Sequence, residues 1–240
     1  MTAARATVAV AGALGRLERR LLRSVEPGSV ERVAARREQG PRPVVAVVGL
    51  RGGSGATTIA RALAGELAAR DPSGAAAVCA RSSSTAAGLR SPSAARLART
   101  LAGVAPASTR AVGRLCLVET DHLLAVTAAT MDVAPLVLDA SGAEAASAVP
   151  LADHTLLVVP SAVEPALAAV VAASLAAGGP PPVCVVNRVR DPGHWHNRAA
   201  VLLPETRLGA RLAAAGHGTR GAFGPGLHEL ADRCRERACE

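Results

Sequence analysis

Residues 44–48, VVAVV, run without a break into GLRGGSGATT at residues 49–58. No feature restricts the fold of this chain more. A short, unbroken, Val-rich run reads as a strand buried on both faces, as in a parallel sheet. Gly52, Gly53 and Gly55 then allow a tight backbone curl, and Thr57 to Arg70 reads as a helix. In this order, strand, glycine loop and helix make successive backbone N–H groups converge on a point where an anion can sit. The helix N-terminus adds its dipole there. A glycine-rich turn that merely packs strand against helix has the same composition, so the neighbouring sequence must separate the two readings.

That sequence alternates. Apolar runs at Ala75–Ala80, Leu115–Val118, Leu136–Asp139, Thr155–Val159 and Val183–Val186 predict strands. Ser91–Ala102, His122–Thr130, Glu164–Ala176, Glu205–Ala215 and Gly226–Arg237 predict helices. Alternation of this kind implies an α/β fold, a doubly wound, mostly parallel sheet with helices on both faces. Ligands in such folds lie beyond the carboxyl ends of the strands, which directs attention to Gly49–Thr57, Arg81, Asp139 and Asn187. The core must be built from Ala, Val and Leu, because Trp195 and Phe223 are the only aromatics. So few aromatics argue against a stacking platform for single-stranded nucleic acid.

The first 43 residues differ in character. They carry nine Arg and four Glu, whereas the remaining 197 residues carry eighteen basic and fifteen acidic side chains. Leu14, Leu17, Leu21 and Val25 fall at helical spacing with Arg16, Arg19, Arg20 and Arg23 between them, a basic amphipathic helix that Pro27-Gly28 ends. Gly40-Pro41-Arg42-Pro43 reads as a linker, so the expected division is a helical arm at 1–43 and a domain at 44–240. Such an arm suits an acidic partner, nucleic acid or an anionic membrane surface, and equally a solvated helix. Five scattered Cys have neither zinc-ligand spacing nor an even count. No apolar run reaches the ~18–20 residues of a membrane helix, and the N-terminus lacks a signal-peptide layout. The expected location is the cytoplasm, with the arm as a means of peripheral attachment to membrane or nucleoid.

A phosphate-binding loop ordinarily ends in Gly-Lys followed by Ser or Thr, the Lys reaching the β- and γ-phosphates. Here Gly55 is followed by Ala56 and Thr57. All 27 basic residues of the chain are Arg, with no Lys anywhere. That bias accounts for an Arg at a Lys position but not for an Ala. GLRGGSGATT resembles the deviant Walker A motif of the ParA/MinD group of P-loop ATPases, Lys-Gly-Gly-x-Gly-Lys-Thr-Thr. Arg51 takes the place of the first Lys, which in the family reaches across a dimer to the partner's nucleotide, and Ala56 that of the second. Val137-Leu138-Asp139-Ala140-Ser141-Gly142 resembles the family's Walker B strand and switch segment. Residues 152–160, ADHTLLVVP, resemble the next strand and its exit. Val183–Arg188 is similar to the strand whose final Asn meets the base, and Leu203-Pro204-Glu205 to the segment before the last helices. The likeness runs in the family's order from about Val44 to Arg237.

The resemblance implies nucleotide contacts from Arg51, Gly52, Gly53, Ser54, Gly55, Ala56, Thr57 and Thr58. It implies base contacts from Asn187 and Arg188, and magnesium on Thr57 and Asp139. It also implies ATP with magnesium as cofactor, a homodimer, and protein partners in the positioning of a cellular assembly. Two departures bear on activity. Ala56 carries no charge, and the stretch Val78–Ser84, where the family has an Asp-x-Asp-like segment, contains no carboxylate. Phosphoryl transfer rests on positioning and electrostatic stabilisation, and one lost contact costs roughly 10²–10³-fold in rate. The expectation is therefore a degenerate ATPase with little or no hydrolysis that acts through partners. The alternatives are a slow ATPase switch in which Arg51 compensates, with Asp139 as its catalytic carboxylate, or a DNA- or membrane-binding protein acting through its arm. His194 and His196, with no third ligand in sequence, read as a polar loop. Ser141 lacks the G-x-S-x-G of a hydrolase elbow. The stripe Leu227, Leu230, Ala231 and Cys234 reads as packing on the sheet.

Overall fold

The computed structural model describes residues 42–80, 107–120, 122–131, 133–140, 144–196, 200–215 and 223–236. Residues 1–41 of the arm, the Ser91–Ala102 helix, Arg81 and Ser141 lie outside this set. The strands are β1 (Val44–Gly49), β2 (Ala75–Ala80), β3 (Ala107–Val112), β4 (Leu115–Thr120), β5 (Leu136–Asp139), β6 (His154–Pro160), β7 (Val183–Val189) and β8 (Ala200–Pro204). The helices are α1 (Ala56–Arg70), α2 (Leu123–Thr130), α3 (Ala145–Ala148), α4 (Pro165–Ala176), α5 (Arg207–Ala214) and α6 (Gly224–Glu236). The strands form one sheet in the order β3-β4-β2-β5-β1-β6-β7-β8. All neighbours pair in parallel except the β3–β4 hairpin. This is the doubly wound α/β fold that the alternating pattern implies.

Side chains of a strand alternate between faces, and here both faces are covered. Val45, Val47, Ala77, Leu117, Val137, Leu156 and Val185 point into a cluster roofed by α1, α5 and α6. Their neighbours Ala46, Val78, Val118 and Leu138 point the other way, under α2 and α3, while Leu157, Val159 and Val186 pack with Ala168 of α4 and with Trp195. Ala at many of these positions lets the helices lie close to the sheet. The Ala-rich α1 has high helix propensity and stops at Asp71, whose N–H donates to the Leu67 carbonyl at 3.0 Å, with Pro72 next in sequence. Thr206 caps α5, its Oγ1 accepting the Gly209 N–H at 3.1 Å.

The structure adds two strands that sequence patterning did not single out. ASTRAV of β3 pairs antiparallel at one edge, and AVLLP of β8 closes the other. α6 buries Leu227, Leu230, Ala231 and Cys234, the expected stripe. α4 differs: it buries Ala168 alone and leaves Leu167 54% and Val170 67% exposed. No helix among the described residues is long and apolar enough to cross a membrane.

These packing differences set a stability contrast. Leu230→Ala should cost about 3 kcal/mol, as truncating a buried Leu does, and Leu167→Ala no more than about 0.5 kcal/mol. Thermal and urea denaturation check this; equal effects would contradict the docking of α6.

Candidate functional site

Strand register assembles a polar row at the carboxyl edge of the sheet. Cys79 lies beside Glu119 on one side and Asp139 on the other, and Asp139 beside Val47. Each is an even number of residues from a side chain in the cluster beneath α1, so Glu119, Cys79 and Asp139 face that helix. α1 answers with two polar residues one turn apart. Thr57 Oγ1 donates to Asp139 Oδ2 at 2.5 Å. The Arg61 guanidinium lies 3.5 Å from the Glu119 carboxylate, and Arg61 and Asp139 both act on the Cys79 thiol. Arg61 is buried and Asp139 fully so. An arginine is rarely buried without an acidic companion, and Glu119 supplies it.

The Cys79 thiol is pushed up to about 12, first by burial and then by the negative charge of Asp139, while Arg61 pulls the other way. Burial alone raises Cys116 and Cys184 to about 11. None of the three is a thiolate near neutrality.

The glycine loop is held from below. Gly53 and Gly55 have φ of 76° and 93°, the left-handed region that glycine occupies without strain. Asn187, at the carboxyl end of β7 and facing α1, donates its Nδ2 to the Ser54 carbonyl at 2.9 Å. Its Oδ1 accepts the Arg188 N–H at 2.9 Å. A Cβ on Gly55 would stand 2.3 Å from Asn187 Nδ2, so the approach of loop to strand requires that glycine twice over. Ser54 is buried, its N–H donating to the Arg51 carbonyl at 3.1 Å, whereas Arg51, Gly52 and Gly53 are exposed. Ala56 is buried in the cluster beneath α1 and brings no charge to the loop. Arg188 is the one non-glycine residue with positive φ, 60°, among those described. It lies where the β7–β8 ladder is interrupted between Val186 and Val189, with the Ser161 hydroxyl donating to its carbonyl at 3.0 Å.

The residues singled out in the sequence thus form two linked groups. Thr57 and Asp139 meet directly. Ser54, Gly55 and Asn187 meet beside them, and Thr58 and Arg188 join Gly55 and Asn187 along a cleft of about 520 Å³ whose other wall includes Thr206, Arg207 and Arg211. His194 and His196 flank Trp195 in a short turn anchored by the indole, whose Nε1 donates to the Val163 carbonyl at 3.0 Å. Among the described residues, no three His, Cys, Asp or Glu side chains cluster as a metal-only centre. Arg61 and Glu119 belong to no motif that the sequence displays. Arg61 had one signal, its position four residues after Thr57 on the same helix. Glu119 stands at the end of a strand, but its place next to β2 depends on the sheet order.

Two measurements follow from this geometry. Arg61→Met should cost about 2–3 kcal/mol, and Arg61→Met/Glu119→Leu should recover most of it, because removing one ion of a buried pair costs more than removing both. The loss is at the low end for a buried pair because Glu119 retains 26% side-chain exposure. A double-mutant cycle in urea checks it; additive losses would contradict the pairing. Separately, the chain has neither Tyr nor Lys, so thiols dominate titration above pH 9. Unfolded thiols ionise near their ordinary value of 9.0, while the folded ones hold their protons to about 11–12. The unfolded state then binds fewer protons, so this contribution to stability is intact below pH 9 and falls as pH rises towards 12. Urea midpoints measured from pH 8 to pH 11 should decline only above 9.

No protein-family model matches the chain, and no curated protein matches it in sequence. Among solved structures it is similar to a ParA family ATPase from Chlorobium tepidum TLS. The TM-score is 0.52 at 11% identity, over 80% of this chain and 99% of that one. The likeness at that identity is one of fold: this chain has a ParA-like, P-loop NTPase-type α/β architecture.

Proposed function

We propose that this chain is a ParA-like nucleotide-binding protein with a degenerate site. It hydrolyses ATP little or not at all and works by binding partners that position or regulate a cellular assembly. One observation carries the reading: Thr57 and Asp139 are joined at 2.5 Å at the start of α1, while the residue before Thr57 is the buried, uncharged Ala56. The binding framework is kept and a principal charge for phosphoryl transfer is absent.

The residues present fit ATP with magnesium. Hydroxyl and carboxylate oxygens are the ligands magnesium takes, completed by phosphate and water, and Thr57 and Asp139 would hold it. The exposed Gly52 and Gly53, with Gly55, would present backbone N–H groups to the phosphates. Ser54, Ala56 and Thr58 would frame them, and Asn187 and Arg188 would meet the base. Magnesium, when bound, neutralises phosphate charge. The protein's own part is to orient the nucleotide and to hold Asp139 at the metal position through the Thr57 hydroxyl.

Homodimerisation and protein partners belong to this proposal, with chromosome, division, pilus or secretion machinery as the range of cargoes. Residues 1–43 would be the part that touches nucleic acid or an anionic membrane, with the protein in the cytoplasm and peripheral to one or the other. A second reading, a slow ATPase switch, is favoured by the exposure of Arg51 on the loop, from where a long permanent cation reaches into a partner's site.

Calorimetry with ATP and ADP, with and without magnesium, tests the proposal. The expected result is micromolar, magnesium-dependent binding of roughly −8 kcal/mol, with turnover at background. Magnesium-dependent turnover that disappears in Asp139→Ala would favour the slow switch. Absence of binding at millimolar nucleotide would overturn both readings.

A further inference from the structure

The cleft beside the glycine loop carries more positive charge than a nucleoside base needs. Arg accounts for 27 of the 240 residues but for three of the eleven that line this cleft: Arg188, Arg207 and Arg211. Their guanidinium groups make no hydrogen bond or ion pair among the described residues. Glu205, the one carboxylate in the lining, is held by Arg190 from outside it. That hydrogen bond lowers the Glu205 carboxyl, with the charges of Arg190, Arg207 and Arg188 acting in the same direction. Three cations therefore share one concave space whose one carboxylate among the described residues is already engaged. Like charges so placed repel one another until an anion arrives. One arginine is accounted for by stacking on a base; three are not.

The position of the charge narrows the ligand. Gly55 and Thr58 line the cleft at the loop end, where a 5′-phosphate would sit, and Asn187 lines its middle element, β7. Arg207 and Arg211 come from α5, on the other wall. We propose that the cleft takes a nucleotide carrying phosphate on both its 5′ and its 3′ side, the first on the glycine loop and the second among Arg188, Arg207 and Arg211. This rests on the proposed nucleotide site and adds a second anion subsite to it. Arginine suits that task, since its planar fork pairs with phosphate through two hydrogen bonds at once.

ADP and adenosine 3′,5′-bisphosphate separate the possibilities, because both carry two phosphates and differ in where these stand. Calorimetry on the full chain at 150 mM salt should show the bisphosphate binding at least about tenfold more tightly than ADP, because a two-point contact of the 3′-phosphate with arginine outweighs that of a β-phosphate with a loop whose Ala56 brings no charge. Arg207→Ala/Arg211→Ala should remove that advantage while leaving ADP affinity within about twofold. Circular dichroism would confirm that the exposed replacements leave the fold unchanged. If ADP binds as tightly as the bisphosphate, or if the double variant weakens both equally, the second subsite is overturned and the nucleotide reading stands. If neither binds, both fall. If inorganic phosphate at the same concentration displaces the bisphosphate as well as ADP does, the cleft is an unspecific anion trap and the inference is again overturned.

Discussion

Side-chain alternation along the central strands governs what this molecule can do at its carboxyl edge. Parallel pairing brings the ends of β4, β2, β5 and β1 level. The twofold period then decides which of their last residues look towards α1. Because Val137 lies beneath α1, Asp139 must as well, and Thr57 finds it there. The same rule aims Glu119 and Cys79 at Arg61, and Asn187 at the glycine loop. A register slip of one residue would turn every one of these groups to the opposite face. The site is in this sense a by-product of how the core is buried, and its precision is that of the sheet.

Arginine has two unlike roles around this edge. Arg61 is enclosed, with Glu119 and Cys79 as companions, and its charge is spent within the protein. Arg188, Arg207 and Arg211 line an open cleft with their charge available to whatever enters. The loop itself carries Arg51 at its exposed tip and nothing but a methyl group at Ala56. The cation that P-loop proteins place at the heart of the site is therefore not replaced there; positive charge lies beneath the loop and to its side. Electrostatic stabilisation falls steeply with misplacement, so under the proposed function such charge would favour holding an anion over transforming one.

Much of this was legible in one sequence. A Val-rich run, three closely spaced glycines and a following Ala-rich helix specify β1, the loop and α1 with little ambiguity, and the later apolar runs place β2, β4, β5, β6 and β7. The edge strands were harder to see, for physical reasons. ASTRAV of β3 has three consecutive polar residues and no apolar period, and is stabilised by its hairpin to β4. AVLLP of β8 is short, ends in Pro204 and pairs on one side only. Glu119 was invisible as a site residue because nothing in a linear chain says that β4 lies next to β2. The cleft arginines were hidden by the abundance of Arg throughout.

Trp195 gives the molecule an optical property of its own. It is the single indole in a chain without tyrosine, buried at 4% exposure beside Leu157, Val159 and Val163, on the side of the sheet away from α1. Its emission reports on that cluster. A ligand settling on the glycine loop would reach this indole by a short path, because Leu50, the residue before Arg51, packs against the same cluster. The protein thus contains its own gauge of whether the glycine loop and the packing under α4 move together or independently.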